Sequence, residues 1–428
     1  MIADFDGIVV TDDTSEYKEG ISFLLTAQNR KYLNESIRDV IKVEELINRA
    51  GLDSLKVIGI TGTNGKTTTA AAIYSILLDL DRGAALQGTR GFFVQDRALG
   101  EKSLTTPPIL KTLYNMKRAL DEGCEYFVME VSSHAIDQNR IEGLDFALKV
   151  LTNISHDHLD YHKTMQNYIA TKNRFFDDEK SPKLLNKDEP KAKYPLKNAY
   201  TYALESPATF QVMAYSLEGG ISAVVRFADE LADFHSGLGG IFNLYNLTAA
   251  VASVKILTGE PLERICSKVE NFAGVAGRME RVSYDPEIFV DFAHTPDGMK
   301  KVFESFPSKD IVAVFGAGGD RDAAKRAVMG EIASKYCKKI YITSDNPRGE
   351  NPEKIMEDIY RGVREKKKAA LITDRKEAIK RALKELEQGE VLLVLGKGDE
   401  EFIEIGDKLV KHSDAKFIKE ILRLNHSL

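Results

Sequence analysis

The run Gly59-Ile-Thr-Gly-Thr-Asn-Gly-Lys-Thr-Thr68 constrains what this chain can fold into more than any other segment of it. Glycines at 62 and 65 let the backbone turn so tightly that successive N–H groups face one concavity of anion size. Such a loop works between a strand and a helix, because the helix N-terminus adds positive potential. Lys56-Val-Ile-Gly-Ile60 reads as the strand, and Thr67 to Leu80 carries apolar residues at helical spacing. Gly62, Thr63, Asn64 and Gly65 are then the cradle and Lys66 a mobile positive charge, while Thr67, followed by Thr68, offers a hydroxyl to magnesium. In the pattern G-x-x-x-x-G-K-[ST] the first glycine would fall at position 60, which is Ile, so Gly59 and Gly62 are expected to replace it.

Phosphate binding alone does not choose among motor, switch, kinase and ligase, and the rest of the chain narrows the choice. After Lys56, strand-like runs alternate with helical stretches, the signature of a largely parallel sheet covered by helices. Tyr126 to Val131 and Ala147 to Leu151 read as buried strands, residues 181–226 are less regular, and a helix is expected over Asn246 to Leu257. The alternation pauses at Gly274-Val-Ala-Gly-Arg278, where a domain boundary is expected. Beyond it, strand-like runs begin at Ile288, Ile311, Ile340, Ala370 and Val391, which predicts a second doubly wound α/β domain. Ligands in such sheets sit beyond the carboxyl ends of the strands. Four loops in those places hold unusual residues: Gly316 to Asp322, Ser344 to Arg348, Thr373 to Arg375 and Gly396 to Glu400. The first ~50 residues, with a weak strand at Gly7-Ile-Val-Val and a helix ending near Ala50-Gly51, are short for an independent domain.

Composition excludes several classes. Lys plus Arg number 59 against 65 Asp plus Glu, a net charge of −6, which argues against a polyanionic partner such as nucleic acid. No run approaches the ~20 apolar residues of a membrane span. The acidic start, Met1-Ile-Ala-Asp-Phe-Asp, lacks the pattern of a secretory signal, so a cytoplasmic protein is expected. Cys124, Cys266 and Cys337 fit no metal spacing and read as small buried hydrophobes.

A middle cluster adds chemistry. Glu130 ends its strand, a good position for a carboxylate that helps to hold Mg²⁺. The next strand runs into Thr152-Asn-Ile-Ser-His-Asp-His-Leu-Asp-Tyr-His162, whose three histidines read either as a metal site or as scattered loop residues. On spacing alone, Lys172 reads as a solvated surface lysine.

Taken in order, Gly-Thr-Asn-Gly-Lys-Thr-Thr, Glu130-Val-Ser-Ser-His134, Asn153-Ile-Ser-His-Asp-His-Leu-Asp-Tyr-His162, Asn243-Leu-Tyr-Asn246, Gly277-Arg-Met-Glu280 and Asp291-Phe-Ala-His-Thr-Pro-Asp297 resemble the Mur ligases, ATP-dependent amide-forming enzymes of peptidoglycan synthesis. The resemblance covers about residues 56–415. Ala293-His-Thr-Pro-Asp297, Asp345-Asn-Pro-Arg348 and Gly396-Lys-Gly398 point within the family to the branch that adds the third peptide residue. The fold this implies is α/β, in three domains: residues 1–50 for the uridine nucleotide, 51–276 a central P-loop ATPase, and 277–428 a Rossmann-like, amino-acid-binding domain that closes over the site.

Roles follow from the resemblance residue by residue. Lys66, Lys172, His158 and Glu130 match catalytic positions. Lys172 matches a lysine that is carbamylated and then helps to hold Mg²⁺; Thr67 and Glu130 match ligands of one ion and His158 of a second. Asn246, His294 and Asp345 match adenosine contacts, and Arg278 matches a residue at the interdomain joint near the phosphates. Thr105, Thr106, Ser132, Gln138 and Arg140 match the muramoyl-dipeptide site, with Thr14 as the nearest N-terminal equivalent. Arg321, Asp345, Asn346, Pro347, Arg348, Gly396 and Glu400 match the amino-acid pocket. An Arg can take a carboxylate through two parallel hydrogen bonds, so Arg348, with Glu400 accepting the neighbouring ammonium, fits meso-diaminopimelate better than lysine. The implied reaction is ATP-dependent addition of that amino acid to UDP-N-acetylmuramoyl-L-alanyl-D-glutamate through an acyl phosphate. Only small-molecule partners, no membrane insertion and a monomer are expected. Lysine addition, folylpolyglutamate synthesis and a non-catalytic nucleotide switch are the rival readings. Ala276 and Ala327 stand where the family commonly has prolines, and Asp399 where histidine is usual. The larger departure is N-terminal: Asp13-Thr-Ser15 followed by Gly20 is the nearest match to an Asp-Ser-Arg signature, and the arginine is missing.

Overall fold

The computed structural model describes residues 1–100 and 104–426. Two compact units emerge, one of Met1–Gly237 with Asn243–Ala273, the other of Leu238–Phe242 with the chain from Gly274 onward.

An eleven-stranded sheet organises the first unit. At its centre lie, in spatial order, the parallel strands Phe146–Leu151, Lys56–Thr61, Tyr126–Glu130 and Ala84–Gly88. These strands are buried along nearly their whole length, which is why they read as unbroken apolar runs rather than as alternation. Register brings Leu151 beside Thr61 and Glu130 beside Ile60, so three strand tips end together where the phosphate loop begins. Outward from Phe146–Leu151 come Lys183–Asn186, Ala199–Ala203, Phe210–Ser216, Ile221–Phe227 and Glu230–Ser236, the last three antiparallel to one another. The stretch that reads as less regular in sequence therefore contributes four strands to the sheet.

Helix Lys66–Asp79 follows the loop and buries Ala70, Ala72, Ile73, Ile76 and Leu77. Helix Ile241–Thr258 starts earlier than its apolar spacing predicts. Among the described residues it is the one helix long and apolar enough to cross a membrane, but 61 % of its apolar window is buried in the protein, as in a core helix. Residues 1–50 form a four-stranded sheet, Ile2–Phe5, Ile8–Thr11, Ser22–Leu25 and Val40–Lys42. Phe5, Val10, Leu24 and Ile41 share one core with Leu113 and Met116 of helix Ile109–Asp121, so this segment packs within the first unit.

The second unit carries a six-stranded sheet in the order Glu280–Tyr284, Glu287–Asp291, Val391–Leu395, Ile311–Phe315, Cys337–Ile342 and Ala369–Leu371. All but the first pairing are parallel. Separate apolar clusters cover its two faces. Helices Ala324–Tyr336 and Pro352–Gly362 meet backbone to backbone, since a Cβ on Gly330 would lie 2.0 Å from the Ile359 carbonyl oxygen. A hairpin, Phe402–Ile405 with Lys408–Lys411, stands apart from the sheet.

Candidate active site

Gly62 and Gly65 take φ of 151° and 86°, left-handed values that side chains resist. Close approach is a second reason for glycine at both. A Cβ on Gly62 would sit 1.8 Å from Thr152 Oγ1, and one on Gly65 2.3 Å from Asn246 Oδ1. Gly59 has a different role from the one its spacing predicts. It lies inside the strand, where a Cβ would strike the Phe146 ring at 2.6 Å and that of Phe175 at 2.8 Å, so it serves packing rather than the turn. The neighbouring strand tip clamps the loop: Thr63 N donates to Asn153 O at 2.8 Å and Asn64 N to Asn153 Oδ1 at 3.0 Å. Thr152 Oγ1 and Asn153 Nδ2 donate to Asn64 O at 2.6 and 2.9 Å. Thr68 is buried in the first helical turn, and Thr69 Oγ1 donates to Asn246 Oδ1 at 3.3 Å.

Glu130 is buried, and its carboxylate accepts from Thr67 after the phosphate loop and from Thr89 at the turn beyond strand Ala84–Gly88. Thr67 Oγ1 donates to its Oε2 at 3.0 Å, Thr89 N to Oε1 at 2.9 Å and Thr89 Oγ1 to Oε2 at 3.2 Å. Gly88 makes room for it, because a Cβ there would lie 2.2 Å from Glu130 Oε1. A buried anionic oxygen pair next to the phosphate-loop hydroxyl fits Mg²⁺, which prefers few hard oxygen ligands.

Lys172 is not a surface lysine. It lies on helix Met165–Arg174 with 1 % exposure, and its Nζ donates to Gly62 O at 2.9 Å. Lys66 Nζ donates to the same oxygen at 2.8 Å and to Thr63 O at 2.9 Å. Burial first, and then the Lys66 charge, hold the Lys172 amine well below the ordinary lysine range, against a weaker pull from Asp157. Tyr168, one helical turn earlier, places its ring 4.9 Å from Lys172 Nζ and its hydroxyl 2.9 Å from Thr63 Oγ1. His158 adopts a left-handed backbone with φ of 54°, and its ring meets His134 edge-on at 4.9 Å. Its side chain is 43 % exposed, yet partial desolvation, with Lys66, His134 and Lys172 nearby, favours the neutral ring over the pull of Asp157. His162 is buried on Ser133 Oγ at 3.0 Å, so the three loop histidines do not converge. Among the described residues no group of three His, Cys, Asp or Glu side chains forms a metal site by itself. Any ion held here would draw on the Thr67 hydroxyl as well as on Glu130.

Four of the dipeptide positions are linked. Thr106 Oγ1 donates to Glu130 O at 2.9 Å and accepts from Ser132 N at 3.0 Å. Arg140 donates through Nη1 to Thr106 O at 3.0 Å and through Nε to Gln138 Oε1 at 3.0 Å. Thr105 joins through Thr89, hydroxyl to hydroxyl at 3.0 Å. Thr14 is exposed on a turn shaped by Asp13, which accepts from Ser15 N at 2.8 Å, and it does not join this network.

In the second unit the strand ends gather the remaining candidates. Asp291 is buried and accepts from Met279 N and Ala293 N, both at 2.7 Å; burial pushes its carboxyl up against the pull of Arg278. The Arg278 guanidinium lies 4.1 Å over the Phe292 ring, and His294 Nδ1 is 2.9 Å from Phe292 O. Asp345 is buried, and a Cβ on Gly396 would meet its Oδ2 at 2.4 Å. Asn346 is a hub: Nδ2 donates to Glu400 Oε2 at 2.9 Å, while Oδ1 accepts from Lys397 Nζ and Glu404 N, both at 3.0 Å. Glu400 also pairs with the fully buried Lys397 at 2.7 Å. Arg348 reaches Glu404 and Gly319 O rather than Glu400. Pro347 is buried, and its carbonyl would lie 1.9 Å from a Cβ on Gly319. Arg321 is exposed.

Several residues in contact with this chemistry escape the sequence reading. Thr89, Tyr168 and Glu404 belong to no motif, and Lys397 lies in Gly396-Lys-Gly398 without a role of its own in the sequence reading. Tyr168 alone leaves a signal, its four-residue spacing from Lys172 on one helix.

Residues 60–254 match the family described as Mur ligase middle domain, and residues 277–398 the family described as Mur ligase, glutamate ligase domain. A protein of Wolinella succinogenes named "UDP-N-acetylmuramoyl-L-alanyl-D-glutamate--2,6-diaminopimelate ligase" is 53 % identical over 416 residues, 96 % of each chain. A protein of the same name from Helicobacter pylori is 49 % identical, over 96 % of this chain and 95 % of its own. A solved structure titled as that ligase superposes with a TM-score of 0.69 at 27 % identity, covering 97 % of this chain and 95 % of the other. The chain belongs to the Mur ligase family.

Proposed function

We propose that this protein uses ATP to join meso-2,6-diaminopimelate to the D-glutamyl carboxylate of UDP-N-acetylmuramoyl-L-alanyl-D-glutamate, a step of peptidoglycan precursor synthesis in the cytoplasm. The observation that carries the reading is the 53 % identity, over 96 % of both chains, to a relative named as that ligase. The site geometry supports it. The amides of the loop at Gly62–Thr68 and the Lys66 ammonium face the ATP phosphates. The glutamyl carboxylate attacks the γ-phosphorus and ADP leaves, which gives an acyl phosphate. The free amine of the amino acid attacks the acyl carbon, loses a proton and expels phosphate through a tetrahedral intermediate. Thr67 and Glu130 would hold one Mg²⁺, and His158 with carbamylated Lys172 a second. Bound there, the ions neutralise charge on the transferring phosphoryl group.

A neutral Lys172 amine is the form that adds to CO₂, and Gly62 O and the Tyr168 ring hold it in place. Thr105, Thr106, Ser132, Gln138 and Arg140 orient the dipeptide, and Asn246, Arg278 and His294 contact the nucleotide. Residues 1–50, including Thr14, contribute to the uridine site. Arg321, Asp345, Asn346, Pro347, Arg348, Gly396 and Glu400 form the amino-acid pocket. The reading includes a monomer whose partners are small molecules. Phosphate release tests it: release should require the muramoyl dipeptide and meso-diaminopimelate together. Release that needs no amino acid would defeat the ligase reading.

A further inference from the structure

Residues 152–155 form a strap that grips the phosphate loop and is itself gripped. Thr152, Asn153 and Ser155 bond Thr63 and Asn64, the last through Ser155 N to Thr63 Oγ1 at 2.9 Å. A second set of bonds reaches the strap from the segment after strand Lys183–Asn186, whose end the register sets beside Leu151. Asn186 Nδ2 donates to Thr152 O at 2.9 Å. Ile154 N donates to Glu189 Oε2 at 2.8 Å, and Lys191 Nζ donates to Ile154 O at 2.9 Å. Ile154 has no exposed surface, so its two backbone groups depend on these partners.

The same segment reaches two other parts of the site. Asn173, next to Lys172 on its helix and buried, donates through Nδ2 to Lys191 O at 3.1 Å and accepts from Lys193 N at 3.0 Å. Asp188 accepts from the hydroxyl of Tyr245, the neighbour of Asn246, at 2.8 Å. The N–H groups of Leu204 and Ser206, both at 2.8 Å, hold that carboxylate in place. Residues 186–193 therefore join the strap, the Lys172 helix and helix Ile241–Thr258. Glu189 is the pivot of the segment. Its Oε1 accepts from Lys191 N at 3.1 Å, which fixes the turn that brings Lys191 Nζ to Ile154 O. Its side chain is 10 % exposed, so water does not readily take over its bonds.

Resting on the nucleotide site proposed above, we infer that Glu189 is a positioning residue for that site. It acts through Ile154: it sets Thr152–Ser155 against the phosphate loop, while its turn holds the Lys172 helix in register through Asn173. Phosphate recognition by backbone groups depends on their placement, so a strap that shifts weakens nucleotide binding before anything else.

The test measures Mg·ADP binding to the whole chain by calorimetry. Glu189→Ala leaves Ile154 N without an acceptor and should weaken binding roughly 5- to 50-fold, the range for one orphaned buried donor. Glu189→Gln keeps an oxygen for Ile154 N and should restore binding to within about 3-fold of the unmodified chain. In turnover the KM for ATP should rise in Glu189→Ala, and that for meso-diaminopimelate should not. Unchanged Mg·ADP binding in folded Glu189→Ala overturns the inference. So does a Gln variant as weak as the Ala variant, or an equal rise in both KM values, the mark of a merely structural role. If Glu189→Ala does not fold, Lys191→Met carries the test, because it removes only the donor to Ile154 O from a half-exposed side chain. Binding should then weaken roughly 3-fold, and unchanged binding overturns the inference. An unmodified chain that binds no Mg·ADP defeats the nucleotide reading itself, an outcome distinct from variants that bind as the unmodified chain does.

Discussion

The carbonyl of Gly62 accepts from two lysines at once, Lys66 at 2.8 Å and Lys172 at 2.9 Å. Burial, and after it repulsion from Lys66 on the same oxygen, makes the Lys172 ammonium give up its proton more readily. That is the local reason for a reactive amine at Lys172, and it makes this side chain the most exacting single test of the site. Lys172→Ala should lower turnover roughly 100- to 1,000-fold or more, on the scale of losing a group that organises phosphoryl charge. A small carboxylate should restore part of it, with the thermal midpoint little changed; full activity without rescue would refute the carbamate assignment. A second residue-scale case lies in the other unit, where Arg375 and Asp414 are both fully buried and bonded through two hydrogen bonds of 2.9 and 2.8 Å. Burial alone would raise the Asp414 carboxyl, but Arg375, with His412, outweighs it and holds it below its ordinary 3.8. A carboxyl lowered on folding stabilises the fold above its unfolded-state value, and that contribution disappears as pH falls toward the folded-state value. Asp414→Asn should therefore cost about 3–5 kcal/mol near neutral pH by leaving Arg375 uncompensated. In urea unfolding the difference from the unmodified chain should shrink below about pH 4; a constant difference would contradict the assignment.

Among the elements, the pairing of helices Ala324–Tyr336 and Pro352–Gly362 depends on missing side chains. Gly330→Ala improves helix propensity by up to about 1 kcal/mol, yet its Cβ would lie 2.0 Å from Ile359 O. Forcing the backbones apart costs about 1–3 kcal/mol, so the variant should unfold at lower denaturant than the unmodified chain. A midpoint that rises would mean the helices can separate freely. This contact is not legible in the sequence, because a glycine inside a helical pattern does not announce what lies across from it. The phosphate loop is legible because phosphate binding needs contiguous residues in a fixed order. The central strands are legible because burial on both faces leaves unbroken apolar runs. Four-residue strands such as Ile2–Phe5 carry too few positions for a period to show. The hairpin Phe402–Lys411 hides for the opposite reason: its second strand is exposed throughout, so no buried face imprints alternation. Lys172 misleads on spacing for a related reason. Its burial comes from Gly62, Tyr168 and the loop, all distant in sequence or inconspicuous in pattern.

Over the whole molecule, two sheets each gather chemistry-bearing loops at their strand ends. In the first unit these are the phosphate loop, Glu130 and Thr152–Ser155; in the second, the turns at Asp291, Asp345 and Gly396. The proposed substrates are anionic although the net charge is −6; the proposed function assigns the positive charge they need to Lys66, Arg140, Arg278, Arg321 and Arg348. Competition between amino acids tests the proposed function: the protein is given ATP, UDP-N-acetylmuramoyl-L-alanyl-D-glutamate and an equimolar mixture of meso-diaminopimelate and L-lysine, and the nucleotide product is weighed. The product should carry diaminopimelate almost exclusively, with one ADP formed for each; a product carrying lysine in comparable amount, or ADP formed without any amide product, would overturn the proposed function.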